Sequence, residues 1–435
     1  MNKDQFKVLA GGSLSGRIRV PGDKSISHRS IMLGSLAEGT THVSGFLEGE
    51  DSLATLKAFR AMGVKIEGPD NGKVVIHGVG MHGLKSPEGG LDLGNSGTSI
   101  RLMSGLLAGQ GFEVVMTGDS SLSTRPMRRV TEPLTQMGAD IETTEGGTPP
   151  LRLKAGAKLN AIDYQLPMAS AQVKSCVLLA GLYAEGETCV TEPAPTRDHT
   201  ERMLMGFGYD VRRNGATACL TGGGKLLAAD IDVPADISSA AFFMVGAAIA
   251  PGSDIVLEHV GINPTRTGVI DILRLMGANI ELLDEREVGG EPVADIRIRS
   301  SQLKGIRIPE ALVPLAIDEF PALFVAAACA EGKTVLTGAE ELRVKESDRI
   351  QAMADGLVLM GIKADPTADG IVIEGGQMSG ADVESHDDHR IAMAFAMAAL
   401  RASGPVTINE CANVRTSFPD FVTLAKNSGL NICAE

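Results

Sequence analysis

An α/β (α+β) fold of two domains, each built from three copies of one structural unit, is predicted by three observations. The first is a short ending that recurs six times: AMGVKIE from 61, QMGADIE from 136, GFGYDVR from 206, LMGANIE from 275, LMGIKAD from 359 and NSGLNIC from 427. The second is an element upstream of each copy that is small and apolar almost all round. The third is length: 435 residues, 43% of them hydrophobic, exceed what one small core organises, so six units divide best into two groups of three.

Each recurring ending closes an amphipathic stretch, such as DSLATLKAFRAMG or RTGVIDILRLMG, whose apolar residues fall at helical spacing. The glycine suits the left-handed residue that terminates a helix, and the residues after it alternate like a strand. The upstream elements IMLGSLAEG, LMSGLLAGQG, VLLAGLYAEG, FFMVGAAIAPG, LFVAAACAEG and AMAFAMAALRASG predict buried helices. Strand-like runs follow them (THVSGF, FEVVMTG, TCVTEP, DIVLEHV, TVLTGAE, PVTINEC), so a unit reads buried helix, strand, amphipathic helix, strands. Residues 227–241, with Pro234, lie between the third and fourth units and mark a crossing point between domains.

Composition excludes several functions. A net charge of -14 opposes general attraction to nucleic acid or anionic membranes, and the absence of Trp with only three Tyr leaves few stacking platforms for bases. No run approaches the roughly 18 apolar residues of a membrane helix, and the start MNKDQFKVLAGG has no signal-peptide core, so a cytoplasmic protein is expected. Six cysteines (176, 189, 219, 329, 411, 433) without a C-x-x-C pair predict reduced, mostly buried thiols. No coiled-coil or exposed apolar repeat is present, and a monomer is expected.

Polar motifs concentrate just ahead of the buried helices, where unpaired backbone N–H groups attract anions. In Pro21-Gly22-Asp23-Lys24-Ser25-Ile26-Ser27-His28-Arg29, Ser25 or Ser27 can cap while Lys24 and Arg29 supply charge. In Gly94-Asn95-Ser96-Gly97-Thr98-Ser99-Ile100-Arg101, the glycines permit close backbone approach and Thr98 or Ser99 can cap. Ser170, Ala171 and Gln172 open the third buried helix with groups suited to hydroxyls or phosphate oxygens. Arg125 in STRPMRRV and Arg197 in TRDHTERML begin amphipathic helices and offer planar two-donor recognition of carboxylate or phosphate. Asp318 and Glu319 precede an apolar helix, Arg343 to Arg349 packs both charges into one run, and Asp387, Asp388 and Arg390 follow His386. His386 and His389 beside two carboxylates make a weak metal pattern, without a third spaced ligand set. Together these residues suit small polyanionic substrates.

PGDKSISHR, LGNSGTSIRL, STRPMRRV, PMASAQVKS, TRDHTERML, IDEFP, ELRVKESDR, DHRIAMAF and TSFPDF, in this order, resemble the EPSP synthase family across both halves. The RPM, SAQVKS and RDHTER forms resemble its bacterial branch that includes glyphosate-tolerant members. The resemblance implies the two-domain enolpyruvyl transferase fold: six βαβαββ-type repeats, three per domain, with parallel buried helices pointing their N-termini at an interdomain cleft that closes over the substrates. It places the first domain at 21–234 and the second at 1–20 with 235–435. It implies transfer of the enolpyruvyl group of phosphoenolpyruvate to the 5-hydroxyl of shikimate 3-phosphate, without a metal or organic cofactor, in chorismate and aromatic amino-acid biosynthesis.

By the same resemblance Lys24, Ser25, Arg29, Ser170, Ala171, Gln172, Arg197, Asp318 and Lys345 bind shikimate 3-phosphate. Lys24, Gly97, Arg125, Gln172, Arg349 and Arg390 bind phosphoenolpyruvate, and Asp318, Glu346 and Lys24 carry the proton transfers. One departure is Arg415, which stands where many members carry Lys, with Ser417 interrupting the T-F-P turn. Gly97 leaves open a space that a larger residue narrows in some tolerant relatives. The alternatives are the sister transferase acting on UDP-N-acetylglucosamine, whose Lys-Asn start and reactive Cys are absent here, and a noncatalytic repeat scaffold.

Overall fold

The computed structural model describes residues 5–435; residues 1–4, part of the 1–20 segment assigned above, lie outside the described residues. The chain divides into two compact units. The first is Gly22–Val233 with the short stretch Val288–Gly290, and the second comprises the N-terminal segment up to Pro21, Pro234–Glu287 and Glu291–Glu435.

In the first unit the helices are α1 (Lys24–Leu36), α2 (Glu50–Ala61), α3 (Gly97–Ala108), α4 (Arg128–Gln136), α5 (Ala171–Gly181) and α6 (His199–Gly206). In the second they are α7 (Ile237–Ile249), α8 (Gly268–Leu275), α9 (Phe320–Ala328), α10 (Arg349–Leu359), α11 (His389–Ala398) and α12 (Phe421–Ser428). The odd-numbered helices are the apolar ones, and every residue of α7 and α9 is buried. The even-numbered ones are amphipathic. The glycine after each of them has positive φ: Gly63 88°, Gly138 101°, Gly208 79°, Gly277 95°, Gly361 83° and Gly429 116°. A side chain there would be strained, which is why the ending recurs.

Among the described residues each unit carries three small sheets of one repeated order, and the first unit adds a two-stranded parallel pair, Ala37–Glu38 with Leu226–Leu227. In the first, Ile231–Asp232 pairs parallel with Thr40–Ser44, which pairs antiparallel with Lys73–His77, which closes a hairpin with Lys65–Asp70. The order recurs as 91–92, 114–117, 151–153, 141–142; as 163–165, 187–191, 217–221, 212–214; and as 15–18, 254–261, 291–299, 279–288. A fifth sheet joins 333–336, 371–374 and 363–366. In the sixth, N-terminal Phe6–Val8 inserts between Val406–Asn409 and Ile432–Ala434, with Phe6 opposite both Ile408 and Ala434. Each hairpin therefore follows an amphipathic helix, and each strand parallel to an edge partner follows a buried one.

The two units have separate apolar cores, one built around Ile31, Met103, Leu106 and Val177, the other around Phe242, Phe324, Phe395 and Met397. Among the described residues no helix is long and apolar enough to cross a membrane. In the first core α3 and α5 approach until a Cβ on Gly105 would lie 2.0 Å from the Cys176 carbonyl oxygen. Because that neighbour is backbone, Gly105→Ala must push the helices apart. We expect a loss of about 3 kcal/mol in unfolding free energy, measured by urea titration; an unchanged midpoint would show that the pair relaxes freely.

The expectation of six reduced thiols is overturned at one pair. Cys189 and Cys219 form a disulfide, directly opposite each other on antiparallel strands with their Cα atoms 4.1 Å apart. The Cys189 N–H points the other way, donating to Ile162 O at 2.9 Å, so the pair occupies the close, non-hydrogen-bonded site of the ladder. Thirty residues separate the two in sequence, and only the register brings them together. Of the others, Cys176 and Cys411 are buried, Cys329 is half-buried and Cys433 is exposed.

Candidate functional site

In the first unit the opening turns of α1, α3 and α5 meet. Gln172 in α5 donates to Thr98 Oγ1 in α3 at 3.2 Å and accepts from Arg101 Nη1 at 2.6 Å. Arg29 in α1 donates to Ser175 Oγ in α5 at 2.9 Å and to Thr200 Oγ1 in α6 at 2.7 Å. His28 Nδ1 lies 2.7 Å from Thr55 Oγ1 and 3.4 Å from Ser99 Oγ. First turns can touch in this way only if the three helices run parallel, with their positive ends at one pole.

The caps differ from those expected. Asp23, not Ser25 or Ser27, caps α1, accepting from the Ile26 N–H at 2.9 Å. Ser27 Oγ instead accepts from the Leu47 N–H at 3.0 Å. Ser96, not Thr98 or Ser99, caps α3 by accepting from the Ser99 N–H at 3.1 Å. Both true caps sit one position ahead of the first helical residue, where non-helical backbone lets a short oxygen reach the third N–H. Ser170 does cap α5. Arg125 and Arg197 lie short of α4 and α6, by three and two residues respectively, in the loops before them.

Positive charge gathers around these ends. Lys24 pairs with Asp51, a partner that the motif by itself does not disclose. Arg125, largely buried, donates to Asn95 Oδ1 at 2.7 Å and Ser121 Oγ at 3.1 Å. Gly97 begins α3 beside it: a Cβ there would stand 3.0 Å from Arg125 Nη1 and 2.9 Å from Arg101 Nη1. Lys174, another residue without an assigned role above, is 1% exposed and bridges Glu192 at 3.2 Å and Glu201 at 2.9 Å, tying α5 to the segment that carries Arg197.

Burial, reinforced by the charges of Lys24 and Arg29, holds the His28 imidazole well below its usual value of 6.5. The folded protein keeps this ring neutral while the unfolded chain takes up a proton below about pH 6.5, so stability falls as pH drops through that value. We expect a slope of about 1.4 kcal/mol per pH unit from this group, read by urea unfolding between pH 7 and 5. His28→Asn should remove it; an unchanged slope would assign the proton elsewhere.

In the second unit the opening turns again meet. Ser238 in α7 donates to Glu319, the residue capping α9, and accepts from Arg266 Nη2 at 2.7 Å. Arg349, first residue of α10 and 1% exposed, donates to Asp388 Oδ2 at 2.8 Å, Glu346 Oε2 at 2.6 Å and Asp318 Oδ1 at 3.3 Å. Asp388 is fully buried and caps α11 through the Arg390 N–H at 2.9 Å. Lys345 Nζ stands 3.8 Å from Asp318 and 3.7 Å from Glu341. Asp318, Lys345, Glu346 and Arg349 thus form one cluster with Asp388 beneath them, while Arg390 adds a half-buried guanidinium one residue into α11. Burial raises the Asp388 carboxyl, but the adjoining Arg349 charge more than offsets this and holds it below the usual carboxylate value. Arg415 lies exposed in the 3-10 turn Cys411–Thr416.

A family model described as EPSP synthase (3-phosphoshikimate 1-carboxyvinyltransferase) matches residues 8–424. A 3-phosphoshikimate 1-carboxyvinyltransferase of Methylococcus capsulatus is 72% identical, covering 98% of both chains. That of Hydrogenovibrio crunogenus is 68% identical over 100% of this chain and 99% of its own. A solved EPSP synthase structure from Acinetobacter baumannii superimposes with a TM-score of 0.90 at 65% identity, covering 99% of this chain and all of that one. With its repeated sheets, its buried helices and the basic residues gathered at their N-terminal ends, the chain belongs to the EPSP synthase (3-phosphoshikimate 1-carboxyvinyltransferase) family.

Proposed function

We propose that this chain joins phosphoenolpyruvate to shikimate 3-phosphate through the residue sets of its two units. The observation that carries the reading is the span of the family match: residues 8–424 include both the Lys24–Arg29–Arg125 set and the Asp318–Arg349 cluster. Lys24, Ser25, Arg29, Ser170, Ala171, Gln172, Arg197, Asp318 and Lys345 would bind shikimate 3-phosphate. Lys24, Gly97, Arg125, Gln172, Arg349 and Arg390 would bind phosphoenolpyruvate. Guanidinium groups already oriented by neighbours, as Arg125 is by Asn95 and Ser121, lose little freedom when they grip a carboxylate or phosphate.

In this reading the Asp318 carboxylate takes the proton of the 5-hydroxyl as its oxygen bonds to C2 of phosphoenolpyruvate. Glu346 or Lys24 delivers a proton to C3. The C2–O bond to phosphate then breaks, and C3 gives up a proton to restore the double bond. No metal or organic cofactor takes part, so chelators should leave the rate unchanged. The protein would act as a cytoplasmic monomer, which sizing by light scattering tests.

Phosphate release from the purified chain, with each substrate omitted in turn and UDP-N-acetylglucosamine as the alternative acceptor, tests the proposal. Release requiring both phosphoenolpyruvate and shikimate 3-phosphate supports it. Release only with the nucleotide sugar would move the chain to the sister reaction, and none with either would leave a scaffold. Arg125→Ala should raise the phosphoenolpyruvate KM by roughly ten- to a hundredfold, the worth of a charge-assisted hydrogen-bonded contact. A change confined to kcat would place Arg125 outside ground-state binding.

A further inference from the structure

The second unit holds a cavity of about 540 Å³ at the carboxyl-terminal ends of its three buried helices. Ile249 ends α7, Cys329 caps the end of α9, and Arg401 follows α11. The polar cluster described above lies at the opposite ends. Thirteen residues of α7 separate the two poles, about 20 Å of helix, so the cavity is no part of that cluster. Its volume falls within the range of small-molecule sites.

Two charged side chains face this space. Arg401 is half-buried and Glu331 is exposed, and neither has an ion-pair partner among the described residues. Cys329 lies against Arg401, but burial pushes its thiol up to about 12, so it stays protonated and leaves the guanidinium charge uncompensated. Ile249, Leu303 and Ala330 supply an apolar wall. The helix ends carry partial negative charge, which favours a cation near Glu331, while the planar fork of Arg401 matches a carboxylate.

We propose that this cavity binds a free α-amino acid with an apolar side chain: the carboxylate on Arg401, the ammonium toward Glu331 and the helix ends, and the side chain against Ile249 and Leu303. An amine lacking the carboxylate, or an acid lacking the amine, leaves one of the two charges unanswered and binds more weakly. The site is independent of the substrate set, since none of its residues belongs to that set.

The test titrates the full-length protein with L-leucine, L-methionine and L-phenylalanine, followed by ligand-observed NMR and calorimetry. The expected result is saturable binding of at least one of them, weakened about tenfold or more in Arg401→Gln and in Glu331→Gln. 4-Methylpentanoate and 3-methylbutylamine should bind about tenfold more weakly than leucine. Both variants should keep the phosphate-release activity of the parent, which shows that they are folded. Absence of saturable binding of all three amino acids up to about 10 mM overturns the proposal. So does unchanged affinity in Arg401→Gln, or equal binding of the acid that lacks an amine.

Discussion

Asp318→Asn is expected to lower kcat by about 10²–10⁴-fold, the worth of a positioned general base, with little change in either KM. Asn preserves the shape of the side chain and can still accept from Arg349 Nη1, which stands 3.3 Å away, and face Lys345 Nζ at 3.8 Å. What it loses is the capacity to take a proton from the 5-hydroxyl. Steady-state rates with each substrate varied separate the two effects. A variant with full kcat would move the base to Glu346, the neighbouring carboxylate held 2.6 Å from the same arginine. A matching rise in the shikimate 3-phosphate KM without loss of kcat would make Asp318 a binding residue only.

Arg349→Met is expected to cost about 3–5 kcal/mol of stability at neutral pH, because it removes the countercharge from a carboxylate that no water reaches. Asp388 is fully buried and takes two hydrogen bonds from Arg349, at 2.8 and 3.3 Å, with Ser347 Oγ as a further donor at 3.0 Å. The sign of its pH dependence follows from the depressed carboxyl. The contribution is fully present above the unfolded value of about 3.9 and is lost as pH falls through the lower folded one. Urea unfolding of parent and variant should therefore show a wide gap at pH 7 that narrows below about pH 4. A gap that stays constant into acid would mean that packing of the arginine stem, not its charge, supplies the energy. The double change with Asp388→Asn should recover part of the loss, since no charge is then left buried.

Local features were legible along the chain. The six helix-closing glycines follow from a steric rule that acts on one residue at a time, and each adopts positive φ. The small apolar runs are buried helices because nothing in them can face water, as α7 and α9 demonstrate by being buried throughout. Basic and hydroxyl residues cluster ahead of those helices in the sequence as they do in the fold, and the resemblance supplied the reaction.

Partners were not legible, because a partner is set by register and packing rather than by spacing. Asp51 beside Lys24, Asp388 beneath Arg349, and Glu192 and Glu201 around Lys174 come from other elements of the same unit. The caps Asp23 and Ser96 depended on where the first helical turn begins, a matter of one or two residues that composition leaves open. Strand Phe6–Val8 completes a sheet some four hundred residues later, and Cys189 finds Cys219 only because two strands align. By itself the sequence determined the repeated unit, its buried helices and the chemical character of their ends, since those depend on short-range sterics and on the cost of exposing apolar surface. The tertiary structure decided which charges are paired and which thiols are joined, since those depend on distances between residues far apart in the chain.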